Sequence, residues 1–110
     1  PQARRQAASR RFRKALRQAA RETDAAARAA PASRAVLEFL SGFWGFEAAG
    51  MTQAQLEERL REAGLPADAC AALREFLESA DAVRFAGGRA PEDMLDRARA
   101  LARRVEEGAA

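Results

Sequence analysis

The stretch Val36-Leu37-Glu38-Phe39-Leu40-Ser41-Gly42-Phe43-Trp44-Gly45-Phe46 holds three of the chain's six Phe and its single Trp. Val36, Phe39, Leu40 and Phe43 recur at i, i+3, i+4 and i+7, and Leu37 and Trp44 form a second i, i+7 pair beside them. An apolar arc of that width belongs to a central helix covered on more than one side. Gly42 and Gly45 loosen its end, so Trp44 and Phe46 fall on the last turn or in the loop beyond. Helically spaced rings of this kind are expected in a core.

Composition agrees with an all-α chain. Ala is abundant, only four Pro are present, and β-branched residues are limited to Val36, Val83, Val105, Thr23 and Thr52. A length of 110 residues supports one domain with a modest core, built from Leu and Phe. The expected architecture is a compact bundle of about five helices with a long basic N-terminal helix. Residues 1–30 form that helix and residues 31–110 the bundle.

Working back from the aromatic stretch, Ala8, Phe12, Ala15, Leu16, Ala19, Ala20 and Thr23 make a narrow apolar stripe on the first helix. Around it stand Arg4, Arg5, Arg10, Arg11, Arg13, Lys14 and Arg17. Through Arg34 the chain has ten basic and two acidic residues, while the remainder has nine basic and fourteen acidic. The net charge of +3 therefore conceals a strong asymmetry. Thr23-Asp24 is an N-cap signal and Pro31 a stronger break. The first helix is expected to end between Glu22 and Ala30, and the second to resume by Pro31.

Working forward, Thr52-Gln53-Ala54-Gln55 reads as a capping box opening a short third helix with Leu56 and Leu60 inward. Gly64, Leu65 and Pro66 close it. A fourth helix covers positions 66–79 with Ala69, Leu73, Phe76, Leu77 and Ala80 inward. Residues 81–85 either extend it or make a separate turn before a loop at Gly87-Gly88. Pro91 opens the last helix, whose stripe is Leu95, Ala98, Leu101, Ala102 and Val105.

The chain has no His, no Tyr and one Cys, Cys70, which excludes an internal disulfide and a Cys/His zinc site. Cys70 is spaced as a buried, inert thiol before Leu73 and Leu77. Glu57-Glu58, Glu92-Asp93 and Glu106-Glu107 are adjacent pairs that diverge on a helix, and no imidazole is present to activate Ser9, Ser33, Ser41 or Ser79. Gly87-Gly88 lacks the pattern of a phosphate cradle. No enzyme activity and no cofactor are expected. No apolar run reaches the length of a membrane span, and no secretory signal is present.

Three readings fit the basic helix. Its arginines pair with the acidic remainder of the domain, which the residues alone favour. Alternatively they bind nucleic acid as a free-standing basic helical protein, or they flank a membrane on its cytoplasmic side and meet anionic headgroups.

The order of elements resembles the C-terminal cytoplasmic domain of BatD-type bacterial oxygen-tolerance (aerotolerance) proteins. A basic helix leads into a run ending in aromatics and Gly, here 37–45. A capped helix ending Gly64-Leu65-Pro66 comes next, then a Leu/Phe helix running into Asp81-Ala82-Val83-Arg84-Phe85-Ala86-Gly87, and a charged last helix. Pro31 and the Ala run before it depart from the aromatic that the family tends to carry there. The resemblance implies a longer single-span protein of the bacterial inner membrane, with this domain on its cytoplasmic face. It also implies a docking or scaffolding role in oxygen tolerance and envelope stress, with von Willebrand A-domain membrane proteins and a MoxR-type ATPase as partners. The chain opens on Pro1, as expected for part of a longer protein. The expected partner contacts are Arg84 and Phe85. Phe85 is read as an aromatic anchor pinning its loop to the core. Arg84 points to solvent, as an interface anchor or as the partner of Asp81.

Overall fold

A computed structural model describes residues 2–87 and 89–108. Within them the chain is all-helical, with α1 (Gln2–Ala19), α2 (Ala25–Trp44), α3 (Gln53–Glu62), α4 (Ala67–Ala86), α5 (Met94–Gly108) and a single 3-10 turn at Ala48–Gly50. No strand occurs among the described residues. Gly88, half of the expected Gly87-Gly88 turn, lies outside them.

The first helix is shorter than the sequence suggests, and positions 1–30 are not one helix. The α1 backbone tightens after Ala19, where Arg21 N–H donates to Gln18 O and Glu22 N–H to Ala19 O, both at 3.1 Å. Ala20 and Thr23, expected in its stripe, lie beyond it and are exposed. Asp24 then caps α2, its carboxylate accepting from Ala26 N–H at 3.3 Å. Arg28 reaches back to donate from Nε to Glu22 O at 2.8 Å, tying the turn to the new helix.

Pro31 does not break the chain as expected; it sits inside α2. A Pro in a helix interior costs about 3 kcal/mol through the lost hydrogen bond and the clash with the preceding turn. Here the turns around it are packed: Ala29 and Ala32 are wholly buried and Val36 nearly so. Tertiary burial of that face, together with the cap seven residues upstream, offsets the local cost.

At its other end α2 stops at Gly45, whose φ of +77° is a left-handed cap that only Gly adopts without strain. Ser41 organises the turn after this cap. Its hydroxyl donates to Leu37 O and accepts from Ala48 N–H, both at 2.9 Å. The capping box of α3 is formed, with Gln55 N–H donating to Thr52 Oγ1 and Thr52 N–H to Gln55 Oε1. Leu65 N–H closes back on Leu60 O at 3.0 Å across Gly64, and both leucines are buried. The extension of α4 through Ala86 resolves the alternatives left open for residues 81–85. α5 begins at Met94 instead of Pro91, and buries Met94 in addition to the expected stripe.

α1 and α2 run antiparallel in the most extensive contact of the fold. Phe12 lies 5.1 Å from Phe39, ring centre to ring centre, and Phe39 lies 5.4 Å from Phe43. Nearer the end of α2, a Cβ built on Gly42 would come 3.1 Å from Ala8 Cβ, so Gly42 lets the two backbones approach. α4 and α5, antiparallel to each other, complete the core together with Leu56 and Leu60 of α3, and Arg104 is held to both carboxylate oxygens of Asp68 at 3.2 Å. The aromatic stretch occupies the centre: Phe39, Leu40 and Phe43 are buried, while Trp44 and Phe46 pack on the core's edge.

Candidate functional site

α1 presents its apolar stripe inward through Ala8, Phe12, Leu16 and Ala19. The remaining arc turns outward, and Arg4, Arg10, Arg11, Arg13, Lys14 and Arg17 are all exposed on it. Arg5 differs. It is half-buried, with its guanidinium 4.8 Å from the centre of the Phe43 ring. α1 carries no acidic residue of its own. The ion pairs among the described residues are Arg74–Glu57, Arg97–Asp93, Arg99–Asp96 and Arg104–Asp68, all within α3 to α5 and the turn before α5. None of the exposed α1 cations makes an ion pair with the acidic remainder among the described residues, against the reading that the residues alone favour. Four carboxylates of that remainder, Glu57, Asp68, Asp93 and Asp96, are paired within their own half of the chain, while Glu38 and Glu106 border α1.

Between α1 and α5 lies a cleft of about 450 Å³, edged by Arg5, Arg10, Arg13 and Glu106 with Phe43 at its base. A second lobe of about 270 Å³ continues along the same two helices past Arg17, Arg99 and Arg103. The two lobes share Ser9, Arg13 and Glu106. Ser9 is buried, and its hydroxyl donates to Glu106 Oε2 at 2.5 Å. On the opposite flank of α1, Arg11 faces Glu38 across the α1–α2 groove.

Arg84 and Phe85 lie on the last turn of α4, before Gly87 at φ +61°. Phe85 is 78% exposed and pins nothing to the core, contrary to the anchor role expected of it. On α4 the last buried residue is Ala80 and the last to pack against the core is Val83, and Phe85 lies beyond both. Arg84 lies over the Phe85 ring at 5.2 Å and makes no ion pair with Asp81 among the described residues. The structure therefore gathers the α1 cations on one face and leaves the Arg84–Phe85 pair on another helix.

Sequence alone marks none of Arg99, Arg103 and Glu106 as a site residue, and Glu106 figures there only in the diverging Glu106-Glu107 pair. Their i, i+4, i+7 spacing along the edge of the α5 stripe was the available signal. Cys70 is buried, with its thiol donating to Leu65 O at 3.8 Å, and burial raises its pKa, as expected of an inert thiol. Among the described residues no three His, Cys, Asp or Glu side chains converge on a metal position, and no helix is long and apolar enough to cross a membrane.

The fold and site define a small helical bundle with one cationic helix face. Searches against protein families, characterised proteins and solved structures find no match to the chain.

Proposed function

We propose that this chain is a non-catalytic interaction domain whose α1 face lies against an anionic membrane surface. The observation that carries the reading is the row of exposed cations on α1, with no acid on that helix and no ion pair to those cations among the described residues. Such a face attracts anionic headgroups at about 1 kcal/mol per Lys or Arg near the surface. It also fits the resemblance to BatD-type proteins, in which the basic helix would leave a membrane span on the cytoplasmic side. On that reading the exposed Arg84–Phe85 pair is the second contact, offered to a von Willebrand A-domain protein or a MoxR-type ATPase, and the domain serves oxygen tolerance as a scaffold.

Flotation with anionic and zwitterionic vesicles tests the membrane contact. Binding is expected only to anionic vesicles and fades as salt shortens the screening length. Replacing Arg10, Arg11, Arg13 and Lys14 together by Gln abolishes it while circular dichroism stays unchanged. Tight, sequence-dependent binding to DNA or RNA in place of vesicle binding would overturn the reading in favour of a nucleic-acid-binding protein.

A further inference from the structure

We propose that the α1–α5 cleft is a binding site for a ligand carrying two or more phosphate groups. The cleft is concave and formed by two helices; it shares Arg10, Arg13 and Arg17 with the α1 face invoked above, whereas Arg11 and Lys14 belong to that face alone. Arg10, Arg13 and Arg17 reach it from α1, and Arg103 from α5, none of them engaged in an ion pair among the described residues. Along the two lobes arginines outnumber the single carboxylate, Glu106, and a concave surface dominated by one sign of charge concentrates the field that each cation alone would lose to solvent. Guanidinium groups present planar forks of N–H donors, which match the several oxygens of a phosphate.

Three features argue for phosphates in series. The cleft has two lobes in line, and Arg13 borders both. Arg13 and Arg17 are one helical turn apart, a rise of about 6 Å, so neighbouring groups on one ligand can meet successive forks. The two Gln side chains at the first lobe, Gln2 and Gln6, add neutral donors beside the arginines.

Glu106 is the one carboxylate bordering either lobe among the described residues, and Ser9 tethers it. It partly neutralises the cleft at rest and repels an entering anion. Removing its charge while keeping a hydrogen-bond acceptor for Ser9 should therefore strengthen binding, an effect that a merely structural carboxylate would not have.

Calorimetric titration of the chain with inorganic tripolyphosphate at physiological ionic strength tests the site. One saturable site is expected, weakened about tenfold or more by Arg13→Gln combined with Arg103→Gln. The Arg13→Lys variant should recover part of the loss. Glu106→Gln should tighten binding about threefold, and Arg11→Gln with Lys14→Gln should leave it within about twofold, because that pair lies outside the cleft. A second arm uses vesicles containing phosphatidic acid, a phosphomonoester headgroup, against vesicles of equal charge made with phosphatidylserine. Dependence of the phosphatidic acid binding on Arg13 and Arg103 alone would identify a lipid headgroup as the source of the phosphate. Absence of saturable binding to either probe would overturn the site, as would equal losses from the Arg11/Lys14 pair or an unchanged affinity in Glu106→Gln. Vesicle binding lost in Arg11→Gln/Lys14→Gln with tripolyphosphate binding intact would separate this site from the membrane face.

Discussion

Phe39 is 3% exposed, with its ring against Phe12 and Phe43. Phe85 is 78% exposed, with only Arg84 over its face. The same truncation should therefore have opposite consequences at the two positions. Phe39→Ala empties the middle of the α1–α2 packing and is expected to cost about 2–5 kcal/mol in denaturant unfolding, as is Leu40→Ala beside it. Phe85→Ala and Arg84→Ala should stay within about 0.5 kcal/mol of the parent. If the end of α4 is the partner contact, both of these variants weaken capture of the A-domain protein or the ATPase in a pull-down without lowering the melting temperature. Undiminished capture would remove both residues from the proposed interface.

At the scale of the element, the tie between α4 and α5 carries a pH signature. The Arg104 hydrogen bonds hold the Asp68 carboxyl below its ordinary value of 3.8, and Arg74 does the same for Glu57 below 4.5, joining α3 to α4. A carboxylate with a lowered folded pKa contributes stability that is complete above its unfolded value. That contribution is lost as pH falls through the lowered folded value. Arg104→Gln should thus reduce the urea midpoint slightly at neutral pH, with the variant and parent converging under strongly acidic conditions. A constant gap at every pH would mean that the pair contributes nothing through charge.

The same scale explains which elements were legible in the sequence. The ends of α3 were readable because a capping box and a Gly-Leu-Pro stop act within a few residues of themselves. The division of α1 from α2 was not, because the two signals competed. Pro31 is the stronger local breaker, yet Asp24 sets the boundary, since the burial of Ala29 and Ala32 that favours continuing through Pro31 depends on distant partners. Met94 was missed for a similar reason: a turn that begins outside the helix places it inward. The cationic face of α1 could be read from residue type and period. The cleft could not, because Ser9 and Glu106 meet across a separation of 97 residues.

For the whole molecule, the separation of ion pairs from the exposed face of α1 has a consequence for stability itself. α1 carries seven like charges within Gln2–Ala19, among them neighbours at i, i+3 and i+4 such as Arg10, Arg13, Lys14 and Arg17. Arg4 and Arg5 also stand near its N-terminal end, where the helix dipole disfavours cations. Self-repulsion thus makes this the helix most ready to open, held down mainly by Phe12 and Leu16 against α2. Most proteins with surface ion pairs lose a little from added salt, whereas here screening should relieve more repulsion than it removes attraction. Moderate salt is expected to raise the melting temperature. Backbone amides of α1 should exchange with deuterium sooner than those of α2 at low salt, and the difference should shrink as salt rises. A melting temperature that falls steadily with salt would show that the paired half of the chain dominates. Otherwise the domain's own fraying is set by the anions around it, and any polyanion that settles on α1 acts as a brace for the fold.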